Sequence, residues 1–121
     1  MPSHVIRKTL GPRDVEKNPY AMIYLPAVDV DSKIIPFLPT SLVHKLCVQN
    51  QLLDVVLTNV ANSMAYNIKI AKVSTHCNGY VLARTGHLVT ENSCRQGDLV
   101  TFLYNKVDAE DKIHIFFAQA S

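Results

Sequence analysis

Apolar and polar residues alternate with a period of two along much of the chain after residue 20, the pattern of half-buried β-strands. The alternation is cleanest from Met64 to Val73. There Met64, Tyr66, Ile68 and Ile70 share one side, and Ala65, Asn67, Lys69 and Ala71 the other, which puts Lys69 in solvent. The segment Lys112 to Ala118 repeats the pattern, with Ile113, Ile115 and Phe117 opposed to Lys112, His114 and Phe116. Tyr20 to Leu25, Lys33 to Leu38, Leu52 to Thr58 and Tyr80 to Ala83 are rich in β-branched and aromatic residues and are expected as strands. Pro36 confines the second of these to a sheet edge or a bulge, because proline donates nothing to the ladder.

The stretch Leu88 to Tyr104, LVTENSCRQGDLVTFLY, reads as a short helical or extended piece, a polar turn, a Gly97-Asp98 corner and then a strand against which the others close. Between the strands, Pro26 and the AVDVDS that follows are expected as a turn, since Asp29, Asp31 and Ser32 bond their own backbone. Asn78-Gly79 marks another reversal. Pro39 and Thr40 open a helix of about two turns, with Leu42, Val43 and Leu46 on its inward face. The sum is about seven short strands, two short helical pieces and no internal repeat. The fold class is mainly β, a barrel or partly open barrel.

Residues 1–19 hold Pro2, Gly11, Pro12 and Pro19 among charges without a sustained apolar period, and are expected as a flexible arm ahead of a single domain at 20–121. A chain of 121 residues suffices for one core without metal or disulfide support. No apolar run reaches the roughly 18 residues that cross a bilayer. The three cysteines, Cys47, Cys77 and Cys94, are irregularly spaced and read as reduced thiols. The formal net charge is only +2, but Arg7, Lys8, Arg13 and Lys17 make the amino-terminal end the positive one.

Little catalytic chemistry is present. His44 with Cys47 and His76 with Cys77 are close pairs, but no second pair stands at zinc-finger spacing. There is no nucleophile elbow and no phosphate-cradling glycine loop, and Asp29 and Asp31 read as loop solvation. No enzyme, metal or cofactor is expected. Polar donors do gather: Lys33 beside the first loop, and Lys69, Lys72, Ser74, Thr75, His76 and Asn78 around the second. Such side chains grip phosphates and read base edges, although solvated loops have the same composition.

The order of segments resembles the plant B-three DNA-binding domain, the module of auxin response factors, seed-maturation regulators and the reproductive-meristem group. The residues that carry the resemblance are KIIPFLPTSLVHKL, VVLTN, AYNIKI, LVTENSCRQGDLVTFLY and IHIFF, over about residues 20 to 118. Tyr66 stands where that family has a Trp, and Arg84-Thr85 where it has Gly-Trp. The resemblance implies a seven-stranded open pseudo-barrel with two short helices, which sets two loop arms into the DNA major groove, with neither metal nor catalysis.

By that resemblance the arms fall at Pro26 to Lys33, which includes Ser32, and at Lys72 to Gly79. Asn78, His76, Thr75 and Ser74 would then read bases, and Lys33, Lys69, Lys72 and Arg84 would hold phosphates. The implied protein is a nuclear plant transcription regulator that binds double-stranded DNA, with other regulatory proteins as further expected partners and no membrane. The alternative is a barrel of the same fold that has lost DNA reading and serves protein interaction.

Overall fold

The computed structural model describes residues 4–18, 21–73 and 79–120. They form one seven-stranded sheet in the order β1-β6-β7-β3-β4-β5-β2. The strands are β1 Val5–Thr9, β2 Met22–Pro26, β3 Leu53–Asn59, β4 Ala65–Val73, β5 Gly79–Ala83, β6 Leu99–Val107 and β7 Ile113–Ala120. All neighbours pair antiparallel except β3 and β7, which run parallel. The helices are α1 Ala27–Lys33, α2 Thr40–Val43 and α3 Gly86–Glu91, and a π-type turn, His44–Val48, continues α2. The sheet curls into a nearly closed barrel with an unsealed seam between the edge strands β1 and β2.

Strand alternation fills the inside. Leu57, Ile70, Leu82, Phe102 and Phe117 are buried from five different strands, and the Phe102 and Phe117 rings meet at 5.8 Å. The β4 pattern holds as expected: Tyr66, Ile68 and Ile70 face inward, and Lys69 lies outside. Gly97 turns at φ +96° into β6, and the buried Asp98 accepts bonds from the Arg95 N–H and the Gln119 Nε2, at 3.0 Å each. Cys94 is buried and Cys47 half-buried, and burial pushes the Cys94 thiol up to about 11.

Three expectations are corrected. Residues 27–33 form a helix instead of a turn, because Ala27, Val30 and Ile34 recur at helical spacing and face the core. Asp29 in its first turn and Lys33 in its last also suit the helix dipole. Lys33 to Leu38 is therefore no strand: it holds the end of α1 and a 3₁₀ turn, Ile35–Phe37, with Pro36 in its first positions. Residues 5–9, placed in an arm by composition, are a strand paired with β6, with Ile6 wholly buried. Five residues carrying two cations offer too short an alternation to stand out in sequence.

A polar clasp bridges the seam. A 3₁₀ turn, Pro12–Val15, brings the buried carboxylate of Asp14 between the two edges. It accepts from the Gly11 N–H at 2.8 Å and the Tyr24 N–H at 3.1 Å, and pairs with the Lys8 ammonium at 3.3 Å. Lys8 in turn donates to the Tyr24 carbonyl. Side chains from the β1 side thus satisfy both main-chain groups of Tyr24 on the β2 edge.

Asp14→Ala should lower the unfolding free energy by about 3 kcal/mol in urea titration, because it leaves a mostly buried ammonium uncompensated. A loss within experimental error would show that the clasp does not hold the seam. In the β6–β7 turn, His114 foremost and then the Lys112 and Glu110 N–H groups hold Asp108 down at about 2, below its ordinary 3.8. A depressed carboxyl stabilises the fold above its unfolded pKa and loses that contribution as pH falls through the folded one. Asp108→Asn should therefore flatten the decline in melting temperature between about pH 4 and about pH 2, and parallel declines would refute this assignment.

Candidate nucleic-acid interface

Pro26 and Val73 both pair with Gly79, so β2, β4 and β5 meet at one end of the barrel. Ser74, Thr75, His76 and Asn78 lie outside the described residues, as does Cys77. Helix α1 packs at the same end. Tyr80 is buried, and its hydroxyl donates to the Asp31 carboxylate at 2.6 Å with the Cys47 Sγ 3.6 Å away. Burial first, and then this bond, raise the Tyr80 pKa above its usual range.

The expected site residues separate into groups. Ser32 and Lys33 sit on α1 and are engaged locally: the Ser32 hydroxyl donates to the Val28 carbonyl at 2.7 Å, and Lys33 lies 3.8 Å from Asp29. Lys72 shares its strand parity with the inward residues Tyr66, Ile68 and Ile70, at the loop end of β4. Lys69 points outward three residues, about 10 Å, before it. It is ion-paired with Asp54, whose carboxyl it holds below the usual value, with Lys112 and Arg84 adding to the effect. Arg84 follows β5 in the left-handed region at φ +64° and lines a hollow of about 240 Å³ with Asp54, Lys69 and Lys112.

A second surface was missed from sequence. The outer face of β2, β5 and β4 carries an open groove of about 680 Å³ lined by Arg13, Glu16, Met22, Tyr24, Val73 and Val81. Cross-strand register places Met22, Ala83 and Lys69 in one row. The floor is therefore apolar, with exposed Arg13 and Glu16 on the flank beyond β2 and Lys69 on β4 opposite. The 17–18 segment is docked on the barrel: a side chain at Gly86 would meet the Lys17 carbonyl at 2.8 Å and the Asn18 carbonyl at 2.5 Å. The signal available in sequence was GPRDV, a proline in the first helical turn with an acid that can cap it, set among the amino-terminal cations.

Among the described residues, no group of three or more His, Cys, Asp or Glu is placed to hold a metal ion. No family model and no curated protein matches the sequence. Solved structures do match. An Arabidopsis FUS3–DNA complex aligns at a TM-score of 0.63 and 17% identity, covering 96% of this chain and 97% of that one. An Arabidopsis thaliana transcription factor LEC2–DNA complex aligns at 0.67 and 23%, covering 94% and 89%. The protein has the B-three fold.

That fold is the pseudo-barrel implied by the sequence resemblance, with α1 as a helix beyond the two expected. Tyr66, at the family's Trp position, keeps its ring in the core and its hydroxyl bonded: Asn92 donates to it at 3.2 Å, and Asn59 donates to Asn92 at 2.7 Å.

Tyr80→Phe should cost about 1.5–2 kcal/mol, read by urea titration, because it removes a bond to a carboxylate from a buried ring. Amide exchange should rise in α1 more than in β7. A uniform rise would show that the bond does not anchor α1.

Proposed function

We propose that this protein is a double-stranded DNA-binding module of a plant transcription regulator, acting in the nucleus, and a binding module with no catalytic role. The observation that carries the reading is the outer face of β2, β5 and β4. Its apolar floor is bordered by Arg13 and Glu16 on one side, with Lys69 across it in the Met22 row, and it reaches Val73, the last residue of β4. Cations on two flanks suit the two phosphate strands that border a DNA groove, and the B-three neighbours were solved as DNA complexes.

In this reading the segment from Lys72 to Gly79 enters the major groove, and Asn78, His76, Thr75 and Ser74 read base edges. Lys69, Lys72 and Arg84 hold phosphates, joined by Arg13 and Lys17. Ser32 and Lys33 on α1 approach the backbone beside the same loop. The other arm is better drawn from residues 11–18 than from 26–33, because Arg13, Asp14 and Glu16 line the groove whereas 27–33 close the barrel end. Asp54 tempers Lys69, so moderate affinity is expected.

The apolar floor also supports a second reading, a barrel that binds protein instead of DNA. Fluorescence anisotropy with mixed-sequence duplexes at low salt separates the two. The DNA reading expects binding that weakens steeply with salt, and a Lys69→Glu, Lys72→Glu double variant that loses about tenfold or more on every duplex, with a shallower salt slope. Absence of binding at low salt would reject the DNA reading, and a salt-resistant protein partner would then support the second.

A further inference from the structure

The seam clasp and the groove share one residue, Tyr24. Its main chain is held from the β1 side, the N–H by Asp14 and the carbonyl by Lys8. Its ring crosses the outer face onto the first residue of β5: a side chain at Gly79 would meet the Tyr24 ring edge and hydroxyl at 2.5 Å. The Lys8 ammonium also lies 5.2 Å from the ring centroid. Gly79 is the point at which β2, β4 and β5 meet, paired with Pro26 on one side and Val73 on the other. A continuous chain of contacts therefore runs from β1, through Lys8 and Asp14, to Tyr24 and on to the start of β5.

We propose that Tyr24 is a positioning residue for DNA recognition, clamped by Lys8 and Asp14, whose ring fixes the backbone at Gly79 from which base reading is set. The inference rests on the DNA-binding reading above. Phosphate contacts are made by long side chains that tolerate displacement, whereas base-edge contacts require hydrogen-bond geometry held within a fraction of an ångström. Releasing Gly79 should therefore cost discrimination between sequences and spare general affinity. Glycine at 79 follows from the same packing, since a larger residue would displace the ring.

The test compares the wild-type protein with Tyr24→Ala, Tyr24→Phe and Lys8→Met, each checked for cooperative unfolding. A duplex selected from random sequence by the wild type is set against a scrambled duplex over a range of salt. Tyr24→Ala and Lys8→Met should each lose about tenfold or more in the ratio of selected to scrambled affinity, and Lys8→Met, outside the groove lining, should keep the scrambled affinity and its salt slope within about twofold. Tyr24→Phe, which keeps the ring, should restore the ratio. A wild-type ratio retained in Tyr24→Ala and Lys8→Met, or an equal loss on both duplexes, would overturn the positioning role and leave DNA binding intact.

A second readout needs no DNA. In the free protein, Lys8→Met should move the backbone amide resonances of Gly79 and Val81 more than those of Ile113 and Ile115, which lie across the barrel. Unmoved resonances at Gly79 and Val81 would refute the clamp whatever the DNA result. A wild type that binds no duplex while these resonances do move would reject the function and keep the clamp.

Discussion

An open sheet that curls into a barrel must satisfy the main-chain groups of its two edges, and here the burden falls on one lysine and one aspartate. Lys8 and Asp14 reach across the seam and serve the carbonyl and N–H of Tyr24, which a closed barrel would pair with a neighbouring strand. The arrangement works because both charges are largely screened from water yet compensate each other. Asp14 also takes the Gly11 N–H, so little of its acceptor capacity is left unused. The clasp covers the middle of the β2 edge, at Tyr24, and so blunts it against pairing with another chain. The clasp does not saturate the seam with a regular ladder, and that is why the edge strands remain distinguishable from the interior ones.

The electrostatics of the outer face follow from the same architecture. Strand parity alone decides that Lys69 lies outside while Lys72 falls on the inward side at the strand end. Two residues that look equivalent in KIAK are thus separated by both distance and face. Asp54 sits directly opposite Lys69 in register and removes much of its free charge. The cations with fewer local constraints are Arg13 and Lys17, in a segment whose backbone is pinned by Asp14 and by its contact with Gly86.

What could be read in advance tracks the length of the pattern. β4 and β7 alternate over eight or nine residues, and their inward sets emerged as expected except for Met64, which precedes β4 and is exposed. Gly97-Asp98 proved to be the corner expected, because a left-handed glycine followed by a carboxylate that caps its own turn is a local solution. Residues 27–33 were misjudged because Asp29, Asp31 and Ser32 favour turns locally, while the deciding fact was tertiary: Val30 and Ile34 have a barrel end to cover. β1 was misjudged for a related reason, since its partner β6 is invisible to any local window. The groove escaped notice because its lining comes from three distant parts of the chain, and Tyr24 matters through a glycine more than fifty residues away.

The pairing of β1 with β6 sets a clock on folding. Ile6 lies opposite Phe102, so β1 has no partner until β6 has left the ribosome. In that interval Ile6 and Leu10 are exposed apolar residues on a segment that also carries Arg7 and Lys8, and those charges keep it from pairing with the wrong edge. The parallel junction of β3 with β7 imposes a similar delay on the middle of the sheet. Barrel closure through β1 and β6 is therefore the pairing that carries one of the largest sequence separations in the sheet.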